Sequence, residues 1–215
     1  MADRVNWHLE ILPPEQRALW DSRISRGFSG WVLYGGTALA LRLGHRRSVD
    51  FDFFSAQPLS PLEFSESQKL DGRILQAAPN SLSLLHRGVK LSFFGGLTLR
   101  VIRTPDFLEH CPVASIEDLA ACKLAALVNR VELKDYLDVL AILRHGMRLE
   151  EMLGCAAAVY RGNFPVAACL KSLTWFEPTE LSVLSKEDRQ LLEKSALEVE
   201  SIPEVIATPY SIGEV

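Results

Sequence analysis

Residues 34–54 read YGGTALALRLGHRRSVDFDFF. Gly35, Gly36 and Thr37 open a run of helix formers, and Asp50 and Asp52 stand two residues apart in an otherwise apolar segment. In a strand the side chains alternate, so the two acids point to one face while Val49, Phe51 and Phe53 point to the other. Like charges about 7 Å apart on an apolar strand are unfavourable unless a cation lies between them. A hard divalent ion such as Mg²⁺ accepts carboxylate oxygens and keeps positions free for phosphates. The pair therefore reads as a metal–phosphate site with Asp50 and Asp52 as metal ligands, and the glycines as backbone that a phosphate approaches closely. The competing reading is a Gly-Gly turn beside a solvated acid pair; Phe51, Phe53 and Phe54 argue against a solvated strand.

Outward from this stretch the chain alternates. Residues 14–26 form an amphipathic helix opened by Pro14, and residues 31–34 (WVLY) a buried strand. A helix over 37–43 stops at Gly44, and the acid-bearing strand spans 49–54. Pro and Ser between 55 and 66 indicate a loop leading into another helix. Residues 81–102 read as a meander: SLSLLH, VKLSFF and LTLRVI, separated by Arg87-Gly88 and Gly95-Gly96. Beyond Pro105 the composition turns helical. Ser115 to Asp118 resembles a capping box opening a helix to about residue 129. Further helices are expected over 133–145, 149–160 and 163–174, and one more in the acidic tail between 186 and 204. The expected architecture is an α/β core of mixed sheet with flanking helices over residues 1–105. A helical region over 106–215 packs on that core and completes the site.

Composition narrows the class. A chain of 215 residues, 48 % hydrophobic and 23 % charged, has room for one core with a helical extension. The formal charge of −4 carries no global basic bias toward nucleic acid, although a local patch would suffice. The four cysteines (Cys111, Cys122, Cys155 and Cys169) show no Cys-x-x-Cys or zinc-like spacing and read as free thiols in a reducing cytosol. The first residues, MADRVNWHLEILPPEQ, lack a signal-like apolar run, and no stretch is long and apolar enough for a membrane span. A cytoplasmic protein is expected.

The order strand, Gly-Gly, short helix, Asp-x-Asp resembles the minimal nucleotidyltransferase fold. More narrowly, GGTALALRLGHRRSVDFDFF is similar to the AbiEii/AbiGii toxin family of nucleotidyltransferases. IEDLAACKLAAL (116–127) resembles that family's lysine-bearing helix, and Lys134-Asp135-Tyr136-Leu137-Asp138 its Lys-Asp-x-x-Asp motif. The resemblance covers roughly residues 30–145. It implies Mg²⁺-dependent transfer of a nucleotide from a nucleoside triphosphate to an acceptor, within a bacterial toxin–antitoxin or phage-defence system. An RNA such as tRNA is the implied acceptor and an antitoxin protein an implied partner.

The residues carry roles of their own. Gly35, Gly36 and Thr37 would offer backbone N–H groups, a helix start and one hydroxyl to the phosphates. Lys123 shares a helical face with Leu119 and Leu127, so it either snorkels, pairs with an acid or meets a phosphate anion. Asp135 and Asp138 are neighbours on one helical face. Asp138 has Lys123, a metal-bound water and the nucleotide sugar open to it; Lys134 is a phosphate candidate. Arg42 and Arg46 are candidates for bidentate phosphate contacts, against the reading of a solvated basic loop. His45 reads as a local capping or packing residue, with a base as the alternative. The catalytic set is thus Asp50, Asp52, Lys123 and Asp138. One feature departs from many nucleotidyltransferases: the strand VKLSFF puts Ser92 where a third carboxylate is expected. Either two acids suffice, or Asp138 substitutes, or turnover is lost. A small-molecule nucleotidyltransferase, a non-catalytic nucleotide-binding module and a protein-binding partner with a vestigial pocket are the rival readings.

Overall fold

In the computed structural model, residues 5–214 are described; residues 1–4, the start of the segment read as no signal peptide, lie outside them. The acid-bearing strand is the central one of a seven-stranded sheet, with three strands on either side. Phe51 and Phe53 of this strand, β2 (Asp50–Phe54), are wholly buried, so alternation turns Asp50 and Asp52 to the opposite face. On one side β2 pairs antiparallel with β1 (Val32–Tyr34), which is buried throughout as the apolar run WVLY requires. On the other it pairs parallel with β5 (Val89–Phe94), and the register sets Asp52 beside Ser92. The hairpin expected at Arg87-Gly88 joins β5 to β4 (Ser81–His86), with both turn residues at positive φ, as such turns require.

The third member of the meander differs from expectation. Residues 97–102 form no sheet strand; an exposed strand, β3 (Arg73–Ala78), pairs with β4 instead. The reason lies in backbone bonding. Gly95 N–H donates to the Asn80 carbonyl (2.9 Å) and Gly96 N–H to the Gln57 carbonyl (2.7 Å), which turns the chain off the sheet. The segment then meets the carboxy-terminal tail: Thr208 donates to the Val101 carbonyl through N–H (2.7 Å) and hydroxyl (2.9 Å), and Arg100 bridges Ser211.

Two short strands follow, β6 (Asp106–Leu108) and β7 (Cys111–Val113), the latter parallel to β1. The order is β3-β4-β5-β2-β1-β7-β6, a seven-stranded mixed sheet. It therefore extends past residue 105, where the core was expected to stop. The tail also returns to the core, with Ala56 N–H donating to the Ile212 carbonyl at 2.9 Å.

The helices flank this sheet: α1 (Pro14–Ser22), α2 (Gly35–Leu43), α3 (Pro61–Ser67), α4 (Ile116–Asn129), α5 (Leu133–Arg144), α6 (Leu149–Val159), α7 (Val166–Thr174) and α8 (Lys186–Leu197). Pro14 opens α1, and Gly44, left-handed at φ 62°, closes α2. Ser115 caps α4 by accepting from the Asp118 N–H (3.1 Å); the Asp118 carboxylate in turn accepts from the Ile102 N–H (2.8 Å), fixing the helix start to the incoming loop. α4 is the hub of the helical half, packed on α2, α5, α6 and α7. No described helix is long and apolar enough to cross a membrane.

Under the sheet lies an aromatic cluster in which Phe53 stacks on Phe93 (centroids 5.2 Å, 14°) and meets Phe28 edge-on at 5.0 Å. Phe53→Ala should lower unfolding stability by about 3–5 kcal/mol, the range for truncating a fully buried aromatic. A denaturant melt reads this as a lower midpoint at unchanged slope.

Candidate active site

The site begins where β1 turns into α2. Gly35 has φ +74°, and a Cβ there would run into the Asp52 carboxylate; a Cβ on Gly36 would lie 2.7 Å from an Arg46 guanidinium nitrogen. The two glycines are thus the clearance that lets β1, the acid strand and Arg46 converge. One cavity of about 520 Å³ opens there, within the range of ligand pockets. Gly35, Gly36, Arg46, Asp50, Asp52, Lys123 and Lys134, all sequence candidates, line it.

Asp50 and Asp52 share a face as expected. Lys90 of β5 approaches Asp50 Oδ2 at 3.6 Å, and Ser92 stands beside Asp52. Burial and the neighbouring Asp50 charge raise the Asp52 carboxyl above its ordinary range. The nearby charges of Lys90 and Lys123 do not outweigh that burial and repulsion. Oxygen donors on one face, with a charge debt that a small divalent cation relieves, fit Mg²⁺. Among the described residues no group of three or more His, Cys, Asp or Glu gathers as a metal cage, and the residue paired with Asp52 on β5 is Ser92, not an acid.

Four candidates are not at the cavity surface. Thr37 is fully buried; its hydroxyl donates to the Asp50 carbonyl and accepts from the Gln16 amide at 3.3 Å, so it fixes the acid strand rather than meeting a phosphate. Arg42 lies on the far side of α2. It donates to the carbonyls of Ala114 (2.6 Å) and Val113 (3.0 Å), pairs with Asp106 (2.8 Å) and stacks over Trp7. Arg42 is thus held away from the cavity and is absent from its lining.

Asp135 and Asp138 are both wholly buried behind the cations. Asp138 accepts from Lys123 (2.6 Å), from Arg46 through two nitrogens (2.6 and 2.8 Å), and bonds His45 Nε2 at 2.7 Å. Asp135 accepts from Lys123 (3.0 Å) and Arg130 (2.8 Å). Burial alone would push Asp138 up, but the bonds from His45 and Arg46 and the Lys123 charge outweigh it and hold the carboxyl well below its usual range. Asp135 is likewise lowered, its burial outweighed by Arg130 and Lys123. Neither acid has an oxygen to spare for a metal or a sugar. They aim Arg46, Lys123 and Arg130 at the cavity, and Asp138 does not stand in for the missing third carboxylate. His45 is a partner of Asp138 and is absent from the cavity lining, which removes it as a base there.

The model of the family described as "Nucleotidyl transferase AbiEii toxin, Type IV TA system" matches residues 17–80 and 71–201. The chain belongs to this family. It is a nucleotidyltransferase of the AbiEii type, as the Gly-Gly, Asp-x-Asp and Lys-Asp-x-x-Asp motifs led us to expect. A relative from Aquifex aeolicus (strain VF5), itself uncharacterized, is 34% identical over 175 residues, which is 77% of this chain and 84% of the relative. A crystal structure from H. pylori, provisionally assigned as a nucleotidyltransferase, has the same fold: TM-score 0.50 at 19% identity, over 80% of this chain and 87% of that one.

Sequence reading missed several residues of this AbiEii-type cavity. Arg130 lines it and bonds Asp135; two helical turns beyond Lys123, it was discoverable as a residue on the same face. Ser48, Lys90, Phe54, Phe94 and Tyr160 also line it. Ser48 carried only its closeness to the acid strand, Lys90 and Phe94 share the Ser92 face of VKLSFF by alternation, and Tyr160 comes from a helix end no local pattern links to the site.

Two outcomes follow. A carboxyl depressed in the folded state contributes stability that is present above its ordinary value and is lost as pH falls toward the folded one. Wild-type protein should therefore lose stability below about pH 4, and Asp138→Asn, already weaker at neutral pH, should show a flatter acid limb in thermal melts from pH 7 to 3. Arg42→Met should lower the melting temperature yet leave triphosphate affinity within about twofold, as expected for a residue whose donors serve only the fold.

Proposed function

We propose that this protein catalyses Mg²⁺-dependent transfer of a nucleotide from a nucleoside triphosphate onto an RNA acceptor, as the toxin of a bacterial toxin–antitoxin or phage-defence pair acting in the cytoplasm. The observation that carries the reading is the convergence of the Asp50–Asp52 pair, the Gly35-Gly36 clearance and the cationic wall of Arg46, Lys123 and Arg130 in one cavity. Lys90 and Lys134 add charge to the same wall, and Glu132 tempers Lys134 at 2.8 Å.

Bound Mg²⁺ supplies neutralisation of phosphate charge and stabilisation of the leaving pyrophosphate. Asp50 and Asp52 would hold it, with the Ser92 hydroxyl alongside. The chain's own groups do the positioning. Gly35 and Gly36 present backbone against which a phosphate can lie, and Arg46, Lys123 and Arg130 hold its outer oxygens through donors already fixed by Asp135 and Asp138. The acceptor hydroxyl attacks the α-phosphorus; the new ester bond forms as the bond to the β-phosphate breaks. Pyrophosphate leaves and the hydroxyl proton is released to solvent.

A polyanionic acceptor is supported by a second cleft that shares Arg46 with the cavity and carries His45, Arg144 and His145 beside it. Arg144 is partly spoken for by Asp188 at 2.6 Å. The family description supports an antitoxin partner.

The test incubates protein, Mg²⁺, α-labelled triphosphates and total RNA, comparing wild type with Asp52→Ala. Label should enter RNA with wild type and fall by about 10³-fold in the variant, the scale of several kcal/mol lost from the transition state. Label on a small-molecule acceptor alone would replace the RNA reading. Equal transfer by both proteins would remove Asp52 as a metal ligand, and no transfer with retained nucleotide binding would make the protein a nucleotide-binding module.

A further inference from the structure

The cavity is polarised along its two central strands. β2 and β5 run parallel in register, so their side chains on the cavity face make three rungs: Asp50 beside Lys90, Asp52 beside Ser92, and Phe54 beside Phe94. Neighbouring rungs are separated by two residues of strand, about 6–7 Å. The aromatic rung therefore lies one step beyond Asp52, away from Lys90.

α4 repeats the polarity on the facing wall. Leu119 and Cys122 come first along the helix, with Lys123 next and Arg130 at its end. Cys122 Sγ lies 4.0 Å from the Tyr160 hydroxyl, which places Tyr160 at the apolar end. Phe54 is backed by Tyr34, stacked at 4.6 Å and 9°, and meets Phe94 edge-on at 5.6 Å and 84°. These contacts hold the Phe54 ring in place, and both phenylalanines are only partly buried.

The end is also uncharged. Burial pushes the Cys122 thiol up to about 12 and raises the Tyr160 hydroxyl as well, so both stay neutral. Of the five cations that line the cavity, Lys90 stands at the opposite end of β5 from Phe94, Lys123 and Arg130 follow Cys122 along α4, and Arg46 and Lys134 come from the α2–β2 connection and α5. Such a surface offers a phosphate nothing, but it offers a flat π-system both dispersion and stacking.

We propose that the Phe54–Phe94–Tyr160 end is the nucleobase subsite of the triphosphate cavity, so that the nucleotide lies along the strands with its phosphates over Asp50 and Asp52 and its base against Phe94. The inference rests on the nucleotide reading given above and adds the ligand's direction and the residues that grip its base. The ribose then spans the single step from the Asp52–Ser92 rung to the aromatic one. Stacking tolerates every base, because each has a π-face, so this end confers affinity for nucleotides with little choice among them.

The test measures Mg²⁺-dependent binding of ATP, GTP, CTP, UTP and inorganic tripolyphosphate to wild type, Phe94→Ala and Phe94→Tyr. Wild type should bind its best nucleotide more tightly than tripolyphosphate. Phe94→Ala should weaken that nucleotide by about 5- to 150-fold, the span of base–aromatic stacking, and leave tripolyphosphate unchanged, which also reports a folded phosphate site. Phe94→Tyr should restore nucleotide affinity. Undiminished nucleotide binding by Phe94→Ala, or tripolyphosphate binding as tight as the best nucleotide in wild type, overturns the base subsite and leaves the triphosphate site standing. If wild type takes up neither ligand, the nucleotidyl-transfer reading itself fails and the subsite falls with it.

Discussion

Asp138 is a buried carboxylate that touches three elements at once. From α5 it takes Lys123 of α4 on one oxygen, His45 on the other and Arg46 across both, the last two from the connection between α2 and the acid strand. Removing such a charge from water is costly, and the cost is offset only because every lone pair meets a donor. The consequence is structural as well as electrostatic. The α/β part contributes His45 and Arg46, the helical part contributes Lys123 and Asp138, and neither set is satisfied without the other. Deleting one partner would leave an uncompensated buried charge, which is why the two halves of the chain form one site and cannot be read as a core with an independent appendage.

The same economy of partners governs the front of the cavity. Arg46, Lys123 and Arg130 have their orientation fixed from behind by Asp135 and Asp138, so in the proposed function they would meet a ligand with little further loss of side-chain entropy. Thr37 performs a comparable task for the acids: its hydroxyl is tied to the Asp50 carbonyl, and Gln16 donates to the same carbonyl at 3.3 Å. The strand that carries both acids is thereby pinned to the start of α2. Gly35 completes the arrangement by leaving out the one atom that would collide with Asp52. Preorganisation here is a property of groups that never touch the ligand.

Legibility in the sequence followed the range of the interaction concerned. The acid strand, the Gly-Gly turn, the α4 cap and the hairpin at Arg87-Gly88 are set by local alternation, capping and turn chemistry, and each lies where those rules place it. The segment at 97–102 has the pattern of a strand, but its carbonyls are claimed by residue 208 and its path by two glycine N–H bonds, neither visible locally. β6 and β7, three residues each and interrupted by Pro112, are too short for a period to show. Among site residues the backbone gave away Asp50, Asp52 and the glycines. It could not say that Arg42 faces Ala114 and Asp106, or that Asp135 and Asp138 stand behind the lysine rather than beside it. Those distinctions depend on which side of a helix meets which neighbour, and only packing decides that.

Ser92 acquires a physical sense from the rung that it occupies. It stands directly beside Asp52, whose carboxyl is already raised by burial and by Asp50. A carboxylate at the same position would add a third like charge to a pair that has one nearby strand-borne cation, Lys90, and that one 3.6 Å from Asp50. Its neighbour across the next strand is Ser83, whose hydroxyl donates to the Ser92 oxygen at 3.3 Å, so the row continues as hydroxyls rather than charges. The protein thus holds two acids whose repulsion a single divalent ion can relieve, and places the remaining electrostatic work on the cations across the cavity.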